Sequence, residues 1–130
     1  MSSNGTGRIF LAVAAGYLLN VVLIVATDSI FLRWMPPKGS VLPLSYFVTD
    51  VVSQCIIQML AGYVCRWIGG AAQPISLAVL VALGILVGGV SLRYSWTAEP
   101  HWYGIALLVV YTPCVGIGWA TRARLERTMA

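Results

Sequence analysis

Apolar positions along this chain gather into four long runs, with neither the strict alternation of a half-buried strand nor the narrow stripe of a surface helix. The first runs from about Arg8 to Trp34 and is unbroken from Ile9 to Val25 apart from Asn20. The second, from about Leu44 to Ile68, is the most polar. The third, Ile75 to Leu92, holds no charged residue, and the fourth runs from about Pro100 to Arg122. A membrane-crossing helix needs about 20 mostly apolar residues. Each run therefore predicts one span, over about 8–34, 44–68, 74–92 and 100–122. The connections PPKGSVLP, GGAAQP and SWTAE carry Pro or Gly breakers at their edges. The expectation is an all-α bundle of four transmembrane helices, with residues 1–130 forming one integral membrane domain.

Composition agrees with the pattern. Of 130 residues, 59% are hydrophobic and 9% charged, where a soluble domain carries about 25% charged residues. The first apolar run exceeds the h-region of a signal peptide, about 7–15 residues, and no A-x-A site follows it, so it reads as an uncleaved span. Basic residues set the orientation. Arg8, Arg66, Arg122, Arg124 and Arg127 fall on the side of the two termini; Arg33, Lys38 and Arg93 fall on the other. That bias predicts both termini in the cytoplasm. It also accounts for the net charge of +4, and makes TRARLER a topology anchor too short for nucleic acid. Cys55, Cys65 and Cys114 lie within spans and form no C-x-x-C. They read as reduced apolar fillers, with no disulfide framework or zinc site.

Candidate chemistry concentrates in the second span. Asp50, Gln54 and Gln58 recur every fourth residue and so share one helix face. At 100° per residue Ala61 and Cys65 join that face, while Val52, Ile56, Met59, Leu60 and Tyr63 lie opposite. The polar stripe is expected to face the bundle and the apolar one the lipid. Asp28 precedes the first turn by about as much as Asp50 follows it. Both then lie about 10 Å below one membrane surface, on antiparallel neighbours. Arg33, Arg93, Glu99 and His101 reach the same side. Ionisable groups at membrane depth are costly, and usually pair or line a wet cavity.

Three readings of this cluster stand side by side. In one, Thr49 or Asp50 caps a shorter helix starting at Val51 and the first span ends near Ala26, leaving both Asp residues wet. In another, Asp28–Arg33–Arg93 or Asp50–Arg93 pairs lock the helices. In the third, Asp28, Asp50, Gln54, Gln58, Arg33, Arg93, Glu99 and His101 contribute to a ligand, proton or metal site. No metal-ligand spacing such as H-E-x-x-H is present. His101 therefore reads first as an interfacial residue, and neither metal nor cofactor is expected. Gly84-x-x-x-Gly88 in the third span permits close helix approach, within one bundle or across a dimer. Pro100 suits a helix start, and Trp96, Trp102 and Tyr103 suit the membrane interface. Pro113 is expected to kink the fourth span and free a carbonyl near Val109.

Thr27-Asp28, Gly62-Tyr63, Pro100-His101-Trp102-Tyr103 and Pro113-Cys114 resemble a group of small four-span bacterial inner-membrane proteins. The resemblance implies a bacterial source and the same four-helix architecture, and brings no activity. Three functions follow, in order. The first is an accessory or interaction subunit, as a homo-oligomer or within a larger membrane complex. The second is a proton- or cation-linked transporter or channel using the Asp28 and Asp50 cluster. A membrane enzyme ranks third, because only His101 with Asp28 or Asp50 offers an acid–base set. The expected surroundings are the lipid bilayer of a bacterial inner membrane, with no nucleic acid.

Overall fold

The computed structural model describes residues 3–39, 41–70 and 74–130. Ser40 of the first connection and residues 71–73 of the second lie outside the described residues. The chain is all-α, with four helices: α1 (Ser3–Trp34), α2 (Leu44–Gly69), α3 (Pro74–Ser95) and α4 (His101–Met129). All four are long and apolar enough to cross a membrane. α1, α3 and α4 extend beyond the expected spans, α4 by two further turns through the TRARLER segment.

Local chemistry sets the ends. Pro43 and Pro100 occupy the N-cap positions of α2 and α4, where a missing N–H leaves nothing unpaired. In each case the proline carbonyl accepts the first turn's bond, from Tyr46 and Tyr103, both at 3.0 Å. α2 stops at Gly70, whose φ of +77° suits glycine and whose N–H donates to the Arg66 carbonyl at 2.7 Å. The α1–α2 connection reverses through Gly39 at φ +73°, closed by the Lys38 N–H bond to the Val41 carbonyl at 3.0 Å. α4 runs through Pro113, which is lipid-exposed, as one continuous helix.

α2 is the most enclosed helix and α3 the least. α2 packs between α1 and α4, which do not approach each other. α3 lies against α4 and α1 and touches α2 least. In lipid the hydrophobic effect does not drive helix association, so close backbone approach must. It occurs where α2 crosses α4: a Cβ on Gly62 would fall on the Val115 carbonyl, and one on Gly118 on the Met59 carbonyl. A second tight layer joins α1, α2 and α3 through Ala12, Gly16, Cys65, Gly69, Ser76 and Leu80. It lies at the end of the bundle that carries the termini. Large apolar side chains such as Phe10, Leu18, Val22, Ile56, Leu86 and Val109 point outward around the bundle, as a lipid-facing surface requires.

Candidate functional site

The polar face of α2 points inward. Asp50 is 0% exposed, and Gln54 and Gln58 are 6% exposed. Val52, Ile56 and Leu60 on the opposite face are exposed, with Met59 and Tyr63 partly so. α2 begins six residues before Asp50 and α1 continues six beyond Asp28. The shorter-helix arrangement, with Asp50 as a wet cap, is thereby overturned: the Pro43 start places Asp50 well inside α2.

α1 supplies the complement in register. Asn20 and Asp28 are as far apart on α1 as Gln58 and Asp50 on the antiparallel α2. Two polar rungs result. On the lower rung, Asn20 Nδ2 donates to Gln58 Oε1 at 2.9 Å. On the upper rung, the carboxyls of Asp28 and Asp50 interact directly, with Glu99 adding a weaker third negative group. Between them Gln54 falls in register with the apolar Ile24 and lines a cavity.

α4 completes the upper rung: the Tyr103 hydroxyl donates to Asp50 Oδ2. Its ring packs edge-on against Phe47, which in turn contacts Tyr46. These three buried aromatics, with Phe31, Met35 and Leu42, cover Asp50 from the side of the α1–α2 connection. Asp50 Oδ1 has no hydrogen-bond partner among the described residues, and neither has the equally enclosed Asn20 Oδ1.

The cavity measures about 320 Å³ and is bounded by all four helices. Asn20, Gln54 and Gln58 form its polar wall, Asp28, Glu99 and Tyr103 its upper end, and Val87, Leu107 and Leu108 its apolar side. Tyr111 lies at its floor, held by a hydroxyl bond to the Leu80 carbonyl at 3.0 Å. The volume lies at the low end of the ligand-site range of about 300–1,000 Å³.

The other sequence candidates lie elsewhere. Arg33 and Arg93 are exposed, and among the described residues no arginine pairs with Asp28, Asp50 or Glu99. The locking pairs are therefore not formed. His101 is exposed and stacks on Trp96, with ring centroids 4.1 Å apart. Among the described residues no three His, Cys, Asp or Glu side chains are grouped to hold a metal ion. Gly84 and Gly88 lie on the α3–α4 seam: a Cβ on Gly84 would enter the Tyr111 ring, and one on Gly88 would meet Leu108 at 3.8 Å. The three cysteines are free, with Cys55 and Cys114 adjoining between α2 and α4.

Sequence reasoning missed Tyr103 as a hydrogen-bond donor, having placed it in an interfacial belt. It also missed Glu126, which ties the α4 extension to α2 through Arg66 at 2.8 Å. A helical wheel continued past Arg122 would have put Glu126 one turn beyond it.

Four apolar helices of this length define a small multi-pass integral membrane protein. Comparison with protein-family models, curated proteins and solved structures gives no match.

Proposed function

We propose that this protein binds a monovalent cation in exchange for a proton at the Asp28–Asp50 pair, inside the bundle of a bacterial inner-membrane protein with cytoplasmic termini. The observation that carries the reading is a carboxyl pair, Asp50 buried and Asp28 half-buried at the edge of a cavity, without an arginine or lysine beside it among the described residues. Two carboxylates away from water repel strongly, and a proton or a cation between them removes that repulsion. Tyr103 holds one oxygen of Asp50 and leaves the other free to receive either.

The accessory reading had two supports. Gly84 and Gly88 are engaged with α4 of the same chain, so they no longer argue for a partner. The lack of a catalytic set serves a binding protein equally well. The enzyme reading needed His101 beside a carboxyl, and His101 stacks on Trp96 instead. For transport, a path to the opposite side would have to cross the tight layer around Leu80 and Cys65, or run between copies of the chain.

The test is proton release into a weakly buffered solution from protein in lipid nanodiscs. Sodium, potassium and ethylammonium chlorides are added at constant ionic strength. At least one cation should release close to one proton per chain from wild type and none from Asp50→Asn. Equal release from both, or from neither, would overturn the exchange centre. Orientation is tested separately with a membrane-impermeant thiol reagent. It should label a cysteine placed at Lys38 or Ala98 in intact cells and spare one at Arg124; the reverse pattern rules out cytoplasmic termini.

A further inference from the structure

Part of the cavity's opening lies among apolar side chains. Its lining includes Val21, Val25 and Val87, which are 39%, 60% and 38% exposed. The first two lie on α1 and the third on α3, so the mouth is the gap between those helices. Val25 and Val21 sit nine and thirteen residues before Trp34, about 14 and 20 Å along the axis. In a hydrocarbon layer about 30 Å thick, that mouth faces acyl chains. α1 and α3 meet lower down, through Ala12, Gly16, Ser76 and Leu80, and the cavity lies above that layer.

The interior is polar on one wall and apolar on the other. The polar wall carries an unused acceptor: Asn20 is 5% exposed, lines the cavity and leaves its Oδ1 without a partner. Above it stand the carboxyls of Asp28 and Glu99, with Asp50 behind them. The apolar wall is built from α3 and α4, through residues such as Val87, Leu107 and Leu108. Among the described residues no lysine or arginine lines the cavity.

Resting on the cation–proton exchange proposed above, we infer that the ligand is a lipophilic organic cation, a protonated amine with an apolar tail, that enters from the bilayer between α1 and α3. Its ammonium group replaces the proton at Asp28–Asp50, and a remaining N–H bond points down the wall toward the Gln54 carboxamide, one turn from Asp50 on α2. The tail lies along Val87 and Leu107 and leaves through the mouth. A zwitterionic lipid with an amine headgroup is the wrong shape electrostatically: its phosphate would enter beside three acidic groups with no basic residue to receive it. A metal ion lacks a third ligand of the usual kind.

The probe is an n-alkylammonium series from ethyl to octyl, with proton release and tryptophan fluorescence read in nanodiscs. Values for Asp50→Asn in the same lipid are subtracted to remove simple partitioning. Apparent affinity in wild type should rise about fourfold per methylene, the partition increment of a buried CH₂. Val87→Trp, at the mouth, should weaken octylammonium binding at least tenfold more than it weakens ethylammonium binding. Leu86→Trp, exposed on the same helix but outside the lining, should change neither. An affinity flat with chain length, or equal effects of the two tryptophans, overturns the lipophilic ligand and lateral entry while the exchange centre stands. Loss of proton release for every cation, ethylammonium included, removes both. Nanodiscs of phosphatidylethanolamine and of phosphatidylcholine should give the same octylammonium affinity. Competition by the former would assign the site to the lipid headgroup and overturn the free amine.

Discussion

The two ends of the bundle treat charge in opposite ways. At the end bearing the termini, the half-buried charges among the described residues lie beside opposite charges, although the enclosed Nε of Arg122 makes no hydrogen bond. Arg66 binds Glu126 at 2.8 Å, Arg122 reaches Glu126 at 3.3 Å, and both guanidinium groups lie over rings, Trp119 and Tyr63. Arg8 donates to the Ile68 carbonyl at 2.7 Å, near the C-terminus of α2 where cations are favoured. Below them the helices touch backbone to backbone. At the other end the carboxyls of Asp28, Asp50 and Glu99 influence one another with no cation beside them among the described residues, two enclosed oxygens lack donors, and a cavity lies between the helices. The same four helices thus close one end and leave the other electrostatically incomplete. Incompleteness at membrane depth is expensive, which is why the exchange proposed above is placed at the open end.

The largest effect should come from breaking the closed end. Gly62→Leu or Gly118→Leu pushes a side chain into a backbone carbonyl of the facing helix, which no rotamer change relieves. Either should destabilise the bundle by about 3 kcal/mol, measured by denaturant unfolding in mild detergent. Gly88→Ala, whose new Cβ has ordinary contact distance, should be tolerated. Equal sensitivity at Gly62 and Gly88 would remove the contrast.

Neutralising one carboxyl at each end sharpens it. Glu126→Gln strips the partner from Arg66, whose side chain is only 12% exposed, and should cost about 1–2 kcal/mol after allowance for partial exposure. Asp50→Asn removes a charge that has no basic partner and keeps an oxygen for the Tyr103 hydroxyl. It should leave stability unchanged or raise it. If Asp50→Asn destabilises as much as Glu126→Gln, the Asp28–Asp50 pair has a structural partner and is no exchange centre. Tyr103→Phe comes next, at about 1.5 kcal/mol for a hydrogen bond to a carboxyl. The ring still packs on Phe47, and the loss should vanish in the Asp50→Asn background if the hydroxyl acts only through Asp50.

Much of this architecture was legible in the residues. Four apolar runs fix four helices because only a helix satisfies its own backbone in lipid, and the every-fourth-residue spacing of Asp50, Gln54 and Gln58 fixes their common inward face. The equal spacing of Asn20–Asp28 and Gln58–Asp50 was present too, and it fixes the two rungs once the helices are antiparallel. What remained hidden depends on positions across non-consecutive helices. Whether Asp50 was a cap or a buried group turned on where α2 begins, and Thr49 competed with Pro43 for that role. The seating of α3 on α4, with Gly84 against Tyr111 and Leu92 over Gly104, rests on contacts that no local pattern in α3 announces. Gly84-x-x-x-Gly88 announced a close approach without saying to which helix.

The smallest expected effect concerns the lower rung and separates its two roles. Asn20→Leu deletes the 2.9 Å bond to Gln58. Hydrogen bonds between helices in membranes contribute only about 0.6 kcal/mol on average. The substitution also removes an enclosed oxygen that has no donor, a cost that the wild-type chain carries. The two terms oppose each other, so stability should move by less than about 0.5 kcal/mol in denaturant unfolding. Gln58→Leu removes the same bond but leaves all of Asn20 unpaired in the wall, and should cost more than Asn20→Leu by about 1 kcal/mol. The inequality is the point: if Asn20 serves mainly to join α1 to α2, the two substitutions cost the same. If its undonated oxygen carries a desolvation cost in the wall, Asn20→Leu is nearly silent in stability and Gln58→Leu is the costlier of the two.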